Sequence, residues 1–240
     1  MICFLHSSMY DTEIGGLNPA NGFVEEIKAC FPVHCRGLFV CSDPDTCDKT
    51  DFYGFSIRDA FENLGMRFER YLTLDSRNED RAEELIRDSD LIVLAGGHVP
   101  TQNRFFHRIH LRELLGDFNG ILMGISAGSM NCAETVYAQP EEEGEAVDPD
   151  YQRFLPGLGL TKIMLLPHFQ WVRTLSVDGL RVLEGLTYPD SMGKTIYAIN
   201  DGSYLLIRDG KEELRGEAYR IRDGVMTQIC SLNETVFVQG

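Results

Sequence analysis

Apolar and polar positions change period repeatedly along the first 130 residues. Short, mainly apolar runs at residues 2–7 (ICFLHS), 36–41 (RGLFVC), 91–94 (LIVL) and 121–125 (ILMGI) read as strands, and residues 67–74 form a fifth with partial alternation. Between them lie stretches with apolar residues at helical spacing: residues 20–30, 49–64, 79–88 and 101–115. In the second of these, Phe52, Phe55, Ile57, Ala60, Phe61 and Leu64 mark the expected inner face, and Gly65 supplies a stop. Fully apolar strands alternating with helices predict a parallel sheet covered on both faces, joined by right-handed crossovers. In such sheets ligands bind beyond the carboxyl ends of the strands. The turns after residues 94 and 125 are therefore where chemistry is expected.

The second half changes character. Residues 137–160 carry Glu141, Glu142 and Glu143 together with several prolines and glycines, and read as an irregular excursion. Residues 162–166 (KIMLL) read as a strand followed by Pro167 and His168, and residues 175–186 as a helix. Residues 195–200 (TIYAIN) and 203–208 (SYLLIR) are strands split by Asp201 and Gly202. The remainder reads as hairpins at the edge of the fold, with Asp-Gly turns at 201–202, 209–210 and 223–224. No repeat or linker divides the chain, so residues 1–240 are expected to form a single α/β domain.

Composition narrows the classes. The 240 residues carry 22 Lys and Arg against 37 Asp and Glu, a formal net charge of −15, with 43% hydrophobic residues. That balance fits a folded globular chain, and its acidity disfavours nucleic acid or an anionic membrane as partner. No apolar run approaches the roughly 20 residues of a membrane span. The opening MICFLHSS lacks a basic start and a small-residue cleavage site, so it reads as a strand, and a cytoplasmic location is expected. The seven cysteines are odd in number and contain no CxxC pair, which points to reduced thiols rather than a disulfide framework or a zinc site.

The strongest chemical signal is Gly124-Ile125-Ser126-Ala127-Gly128, a G-x-S-x-G placed after an apolar strand and before an expected helix at residues 129–135. A strained strand-to-helix turn needs small neighbours and lifts the serine hydroxyl above the sheet, while the helix N-terminus offers free N–H groups to an oxyanion. Ser126 is thus the expected nucleophile. Among the histidines at 6, 34, 98, 107, 110 and 168, only His168 follows the serine, and it sits at a strand's carboxyl end on the same rim. Asp201, also at a strand end, is the expected acid that orients the base, with Glu143 and Asp148 of the excursion as competitors. Oxyanion donors are expected from the N–H of Ala127 and from the Ala95-Gly96-Gly97 loop, where Gly97 is favoured.

Four segments, LIVLAGGHVPTQ, GISAGSMNCA, LLPHF and AINDGSYL, resemble in order the glycine-rich oxyanion loop, nucleophile elbow, base segment and acid segment of the aspartyl dipeptidase and cyanophycinase family of serine peptidases. The resemblance covers roughly residues 38–206. It implies the class I glutamine-amidotransferase-like fold, a three-layer α/β sandwich with a mostly parallel central sheet, here with C-terminal β-hairpins. It also implies a Ser126–His168–Asp201 triad, Gly97 and Ala127 as oxyanion donors, a short peptide substrate, and no metal or organic cofactor. A homodimer is compatible with it. The chain departs from the family in carrying Asp201 where glutamate is usual and His98 where asparagine is usual. Arg173 and Arg181 follow the histidine, but neither matches the arginine that binds an N-terminal aspartate. Two other classes stay open: an α/β-hydrolase esterase, whose usual order of serine, acid and histidine this chain does not follow, and a non-catalytic binding or sensor protein on the amidotransferase-like fold.

Overall fold

A computed structural model describes residues 1–239. In the first half the strands are β1 (Ile2–His6), β2 (Tyr10–Asp11), β3 (Gly16–Leu17), β4 (Cys35–Val40), β5 (Phe68–Leu74), β6 (Leu91–Leu94) and β7 (Ile121–Ile125). The helices are α1 (Phe23–Cys30), α2 (Cys47–Glu62), α3 (Ala82–Arg87), α4 (Val99–Arg108), α5 (Leu111–Leu114) and α6 (Ala127–Met130). The second half adds β8 (Thr135–Tyr137), β9 (Phe154–Pro156), β10 (Met164–Leu166), α7 (Phe169–Val172), β11 (Ser176–Val177), β12 (Leu180–Arg181) and α8 (Tyr188–Asp190). It ends with β13 (Thr195–Ile199), β14 (Tyr204–Arg208), β15 (Lys211–Arg215), β16 (Ala218–Arg222), β17 (Val225–Cys230) and β18 (Thr235–Phe237).

Eight strands form the main sheet in the order β18-β15-β14-β1-β7-β6-β4-β5. The five from β1 to β5 in that order run parallel, and β14, β15 and β18 close the sheet antiparallel. Successive residues of each parallel strand face opposite layers, as the two-residue strand period requires. Phe4, Phe39, Leu91, Val93 and Met123 pack with Phe23 and Ile27 of α1 and Ile57 and Phe61 of α2. Leu5, Leu38, Val40, Ile92 and Leu122 pack on the other face with Phe105, Phe106 and Leu111. The expected three-layer sandwich with a mostly parallel centre is the observed fold.

A second, four-stranded sheet, β10-β13-β16-β17, joins that other face through Leu165, Tyr197, Ile199 and Ala218. Its opposite side buries Met164, Leu166, Ile196 and Ile221 against Phe169, Val172 and Leu186. The strands that flank Asp201 and Gly202 thus belong to different sheets: β13 to the small one and β14 to the large one.

Four local expectations give way to the structure. On α2 the buried positions are Thr50, Gly54, Ile57, Ala60 and Phe61, a stripe at i, i+4, i+7, i+10 and i+11 that includes the expected Ile57, Ala60 and Phe61, whereas Phe52 and Phe55 face solvent at 67% and 42% exposure. The helix expected over 101–115 starts at Val99 and breaks at His110, whose left-handed backbone separates α4 from α5. The helix after Ser126 is a single turn, because the chain is drawn into the antiparallel pair β8–β9. In place of a helix over 175–186 there is a tight hairpin, β11–β12, turning at Asp178 and Gly179, followed by a π-helical turn at Val182–Thr187. Among the described residues no helix is long and apolar enough to cross a membrane, and all seven cysteines are free.

Candidate active site

The carboxyl ends of β1, β6, β7, β10 and β13 bring the sequence-predicted residues to one rim. Ser126 leaves β7 with φ 50° and ψ −112°, an unfavourable backbone for a residue with a Cβ. Three bonds hold it there. Its N–H donates to His6 O (3.0 Å), and its carbonyl accepts the N–H groups of Ser129 (2.9 Å) and Met130 (3.0 Å). Ser129 Oγ also donates to His6 O at 2.7 Å. Gly128 lets α6 press onto the end of β6: a Cβ there would fall 2.8 Å from Ala95 O and closer still to Leu94 O. The elbow is thus fixed against two neighbouring strands.

The loop after β6 lies beside it. A Cβ on Gly96 would stand 3.4 Å from Ser126 Cβ. Gly97 has φ 153°, and a Cβ there would lie 2.6 Å from Ser42 Cβ, so this position excludes a side chain. Neither the N–H of Gly97 nor that of Ala127 has an acceptor among the described residues. One unpartnered N–H thus lies on the loop after β6 and another directly follows Ser126 in the chain.

His168 follows β10 and Pro167 in a left-handed conformation, φ 54°. Its ring stacks on Trp171 with centroids 5.7 Å apart, and its Nδ1 lies 2.7 Å from Asp201 Oδ1. Asp201 leaves β13 with its carboxylate fully engaged. Oδ1 also accepts from Ser7 Oγ at 2.6 Å, and Oδ2 accepts from Gln170 Nε2. Gln170 returns the contact through Oε1, which accepts the Asp201 N–H at 3.1 Å. Burial by itself raises the Asp201 pKa. Hydrogen bonds from His168, Ser7 and Gln170, together with the imidazole's charge, outweigh it and hold the carboxyl below the ordinary aspartate range. Neither Ser126 Oγ nor His168 Nε2 is hydrogen-bonded to another group among the described residues.

Four of the other five histidines are packed or bonded within the fold, and His110 is exposed at the break between α4 and α5. His6 is buried against Phe23 and Tyr204, and burial pushes its pKa down to about 3, so it is neutral. His34 pairs with exposed Glu69, and His107 Nε2 meets Pro156 O. His98, beside the oxyanion loop, forms a second histidine–carboxylate pair, with Nε2 2.7 Å from Glu145 Oε1 and Nδ1 2.8 Å from Thr101 Oγ1. Both its nitrogens are thereby used. Glu145 Oε2 in turn accepts the N–H groups of Glu141 and Glu142, and Asp178 accepts those of Gly144 and Ala146, so the excursion is tied to the site rather than loose. His98, Glu142 and Glu145 bring one potential metal-ligating atom each within 4.8 Å of one another, but hydrogen bonds already satisfy His98 and Glu145.

Glu143 is exposed, and Asp148 caps the N–H of Asp150; neither touches His168 among the described residues. The Arg173 guanidinium lies over the rings of Phe169 and Tyr219, and that of Arg181 donates to the carbonyls of Thr174 and Arg173. Sequence reasoning missed Ser7 and Gln170. The only available signals were polar residues directly after the first strand and two places beyond His168.

A serine in a strained backbone between the carboxyl end of a parallel strand and a helical turn is the arrangement of a nucleophile elbow. Residues 38–215 match the family model described as peptidase family S51, and the chain belongs to that family, the aspartyl dipeptidase and cyanophycinase family; it is a serine-type peptidase. Among solved structures it is similar to a peptidase from an acI-B1 Actinobacterium (TM-score 0.62, 17% identity, 99% of this chain and 96% of that one). It is also similar to a candidate peptidase E from Listeria monocytogenes EGD-e (TM-score 0.59, 16% identity, 95% of this chain and 98% of that one). At these identities the likeness speaks for the fold. No curated protein sequence matches the chain.

Proposed function

We propose that the chain is a single serine-peptidase unit, cytoplasmic, that cleaves short peptides or related amides through an acyl-enzyme, with Ser126 as nucleophile, His168 as base and Asp201 as orienting acid. Ser126 Oγ attacks the scissile carbonyl carbon while His168 Nε2 takes its proton. The carbonyl electrons move to oxygen, where the N–H groups of Gly97 and Ala127 stabilise the charge. Collapse of the tetrahedral species expels the amine, which takes the proton back from His168. Water, deprotonated by the same nitrogen, then releases the acid and restores Ser126.

The observation that carries this reading is the contrast between the two histidine–carboxylate pairs. His168 keeps Nδ1 on Asp201 and leaves Nε2 open to accept a proton, whereas His98 has both nitrogens bonded within the protein. Arg173 and Arg181 are committed to rings and carbonyls, so neither supports a preference for an N-terminal aspartate. A fluorophosphonate probe tests the nucleophile. It should label Ser126 in the wild type and leave Ser126→Ala unlabelled, and labelling elsewhere refutes the reading. A library of dipeptides and tripeptides, varied at every residue, then tests the substrate class; inactivity on every member would remove the peptide part of the proposal.

A further inference from the structure

Two consecutive residues at the end of β1 touch both halves of the candidate triad. β1 lies between β7, which delivers Ser126, and β14, which leaves the Asp201-Gly202 turn. On the β7 side the His6 carbonyl accepts the Ser126 N–H and the Ser129 hydroxyl. On the other side Ser7, fully buried, donates from Oγ to Asp201 Oδ1 at 2.6 Å and accepts on the same oxygen the backbone N–H of His168 at 2.7 Å. Its own N–H donates to Ser203 O, which fixes it to the strand after the acid. His168 and Asp201 come from the small sheet, and Ser126 from the large one. Apart from the His168–Asp201 pair itself, the Ser7 hydroxyl is the one side-chain group among the described residues that bonds to both of them.

We propose that Ser7 is a positioning residue of the catalytic machinery: its hydroxyl docks the base–acid pair of the small sheet onto the edge of the large sheet that carries Ser126. The inference rests on the triad reading above. The hydroxyl does two things at once. As acceptor it captures the N–H of a histidine whose left-handed backbone needs an outside partner, and so sets where the imidazole emerges. As donor it shares Asp201 Oδ1 with His168 Nδ1 and takes up part of the charge that would otherwise act on the imidazole alone. Removing it loosens the imidazole's position and leaves the carboxylate more strongly attracting to imidazolium. Acylation should therefore slow, and the pH at which His168 becomes competent should rise.

The experiment measures the rate of fluorophosphonate labelling of Ser126 from pH 5.5 to 9 in the wild-type chain, in Ser7→Ala and in Ser7→Cys. Ser7→Cys keeps the buried volume but has only a weak donor and acceptor, so it reports even where the alanine variant fails to fold. The expected result is a plateau rate lowered by about 10-fold or more in both variants, with the half-maximal pH moved up by about half a unit. Each variant's thermal midpoint is read alongside. A slowed plateau with an unmoved half-maximal pH marks a merely structural serine and overturns the inference, as does wild-type behaviour in a folded Ser7→Ala. Either result leaves the triad standing. Absence of Ser126 labelling in the wild type instead overturns the proposed function, and this inference with it.

Discussion

At the scale of single residues, the site separates what spacing reveals from what only folding assembles. Ser126, His168 and Asp201 all follow apolar strands, and in a parallel sheet strand ends converge on one rim, so their neighbourhood was readable before any geometry. The choice among Asp201, Glu143 and Asp148 was open in the sequence. The structure puts Asp201 Oδ1 2.7 Å from His168 Nδ1 and leaves Glu143 and Asp148 on the surface. Asp201→Asn keeps the size but cannot stabilise imidazolium, and it can turn His168 to the wrong tautomer. It is expected to lower turnover by at least ~100-fold, whereas Glu143→Gln and Asp148→Asn each change it far less. Ser126→Ala and His168→Gln should abolish activity with the fold retained, read by circular dichroism beside steady-state kinetics. A crippling Glu143→Gln with a near-silent Asp201→Asn would move the acid to the excursion. Ser7 and Gln170 were not legible, because a serine or glutamine carries no local pattern of its own. Their roles exist only because β1 and α7 meet the β13–β14 turn in three dimensions.

At the scale of elements, the parallel strands were read almost to the residue, and the misreadings have definable causes. The chain has four Asp-Gly pairs. Those at 178–179, 209–210 and 223–224 make tight turns with positive φ at both residues. The first of these ends any helix over 175–186, a signal that reading the apolar spacing alone passes over. The fourth pair, 201–202, has positive φ only at Gly202, and it carries the chain from one sheet to the other. That crossing is what frees Asp201 to face His168. On α2 the apolar pattern was over-read: six aromatic and aliphatic positions span more of the helix circumference than one buried stripe can hold. The observed stripe predicts that Phe61→Ala costs about 3–5 kcal/mol in unfolding free energy, while exposed Phe52→Ala stays within about 0.5 kcal/mol, measured by urea titration. Equal effects would contradict the assigned face. Gly128→Ala is a sharper test of the elbow. Its methyl group meets the carbonyls of Leu94 and Ala95, backbone that cannot rotate away. The variant should lose about 1–3 kcal/mol of stability and most of its Ser126 labelling, even though no reacting group has changed.

At the scale of the whole molecule, the net charge of −15 and the buried histidine of β1 pull stability in opposite directions as pH falls: protonation eases the self-repulsion of the acidic chain, while the buried histidine resists the proton that the unfolded chain accepts. His6 lies among Phe4, Phe23 and Tyr204, and its Nε2 is buried with no hydrogen-bond partner among the described residues. Desolvation pushes its pKa from 6.5 to about 3. The unfolded chain, whose histidines titrate near 6.5, therefore binds a proton that the folded chain refuses throughout the interval between those values. The sign follows directly. The neutral form's contribution is complete above pH 6.5 and is lost as pH falls toward 3, at up to about 1.4 kcal/mol per pH unit. The paired carboxylates Glu26, Asp51, Asp90 and Asp201 have depressed pKa values, so their contribution is complete above the ordinary carboxylate range and is lost from that range downward, as pH falls through the folded values. The interval from pH 6.5 to 5 thus lies above their loss, and comparison with a variant lacking the ring separates His6 from groups such as Glu141, whose carboxyl burial pushes up. His6→Leu keeps the apolar packing and removes the titrating ring, while the His6 carbonyl that anchors Ser126 remains in the backbone. Urea unfolding of both proteins at pH 7.5, 6.5, 5.8 and 5.2 should show the wild-type stability falling and that of His6→Leu falling less steeply, with the difference growing as the pH drops. Parallel curves would mean that His6 takes up a proton in the folded state. The packing of β1 against α1, on which the placement of both Ser126 and Ser7 depends, would then have to admit water.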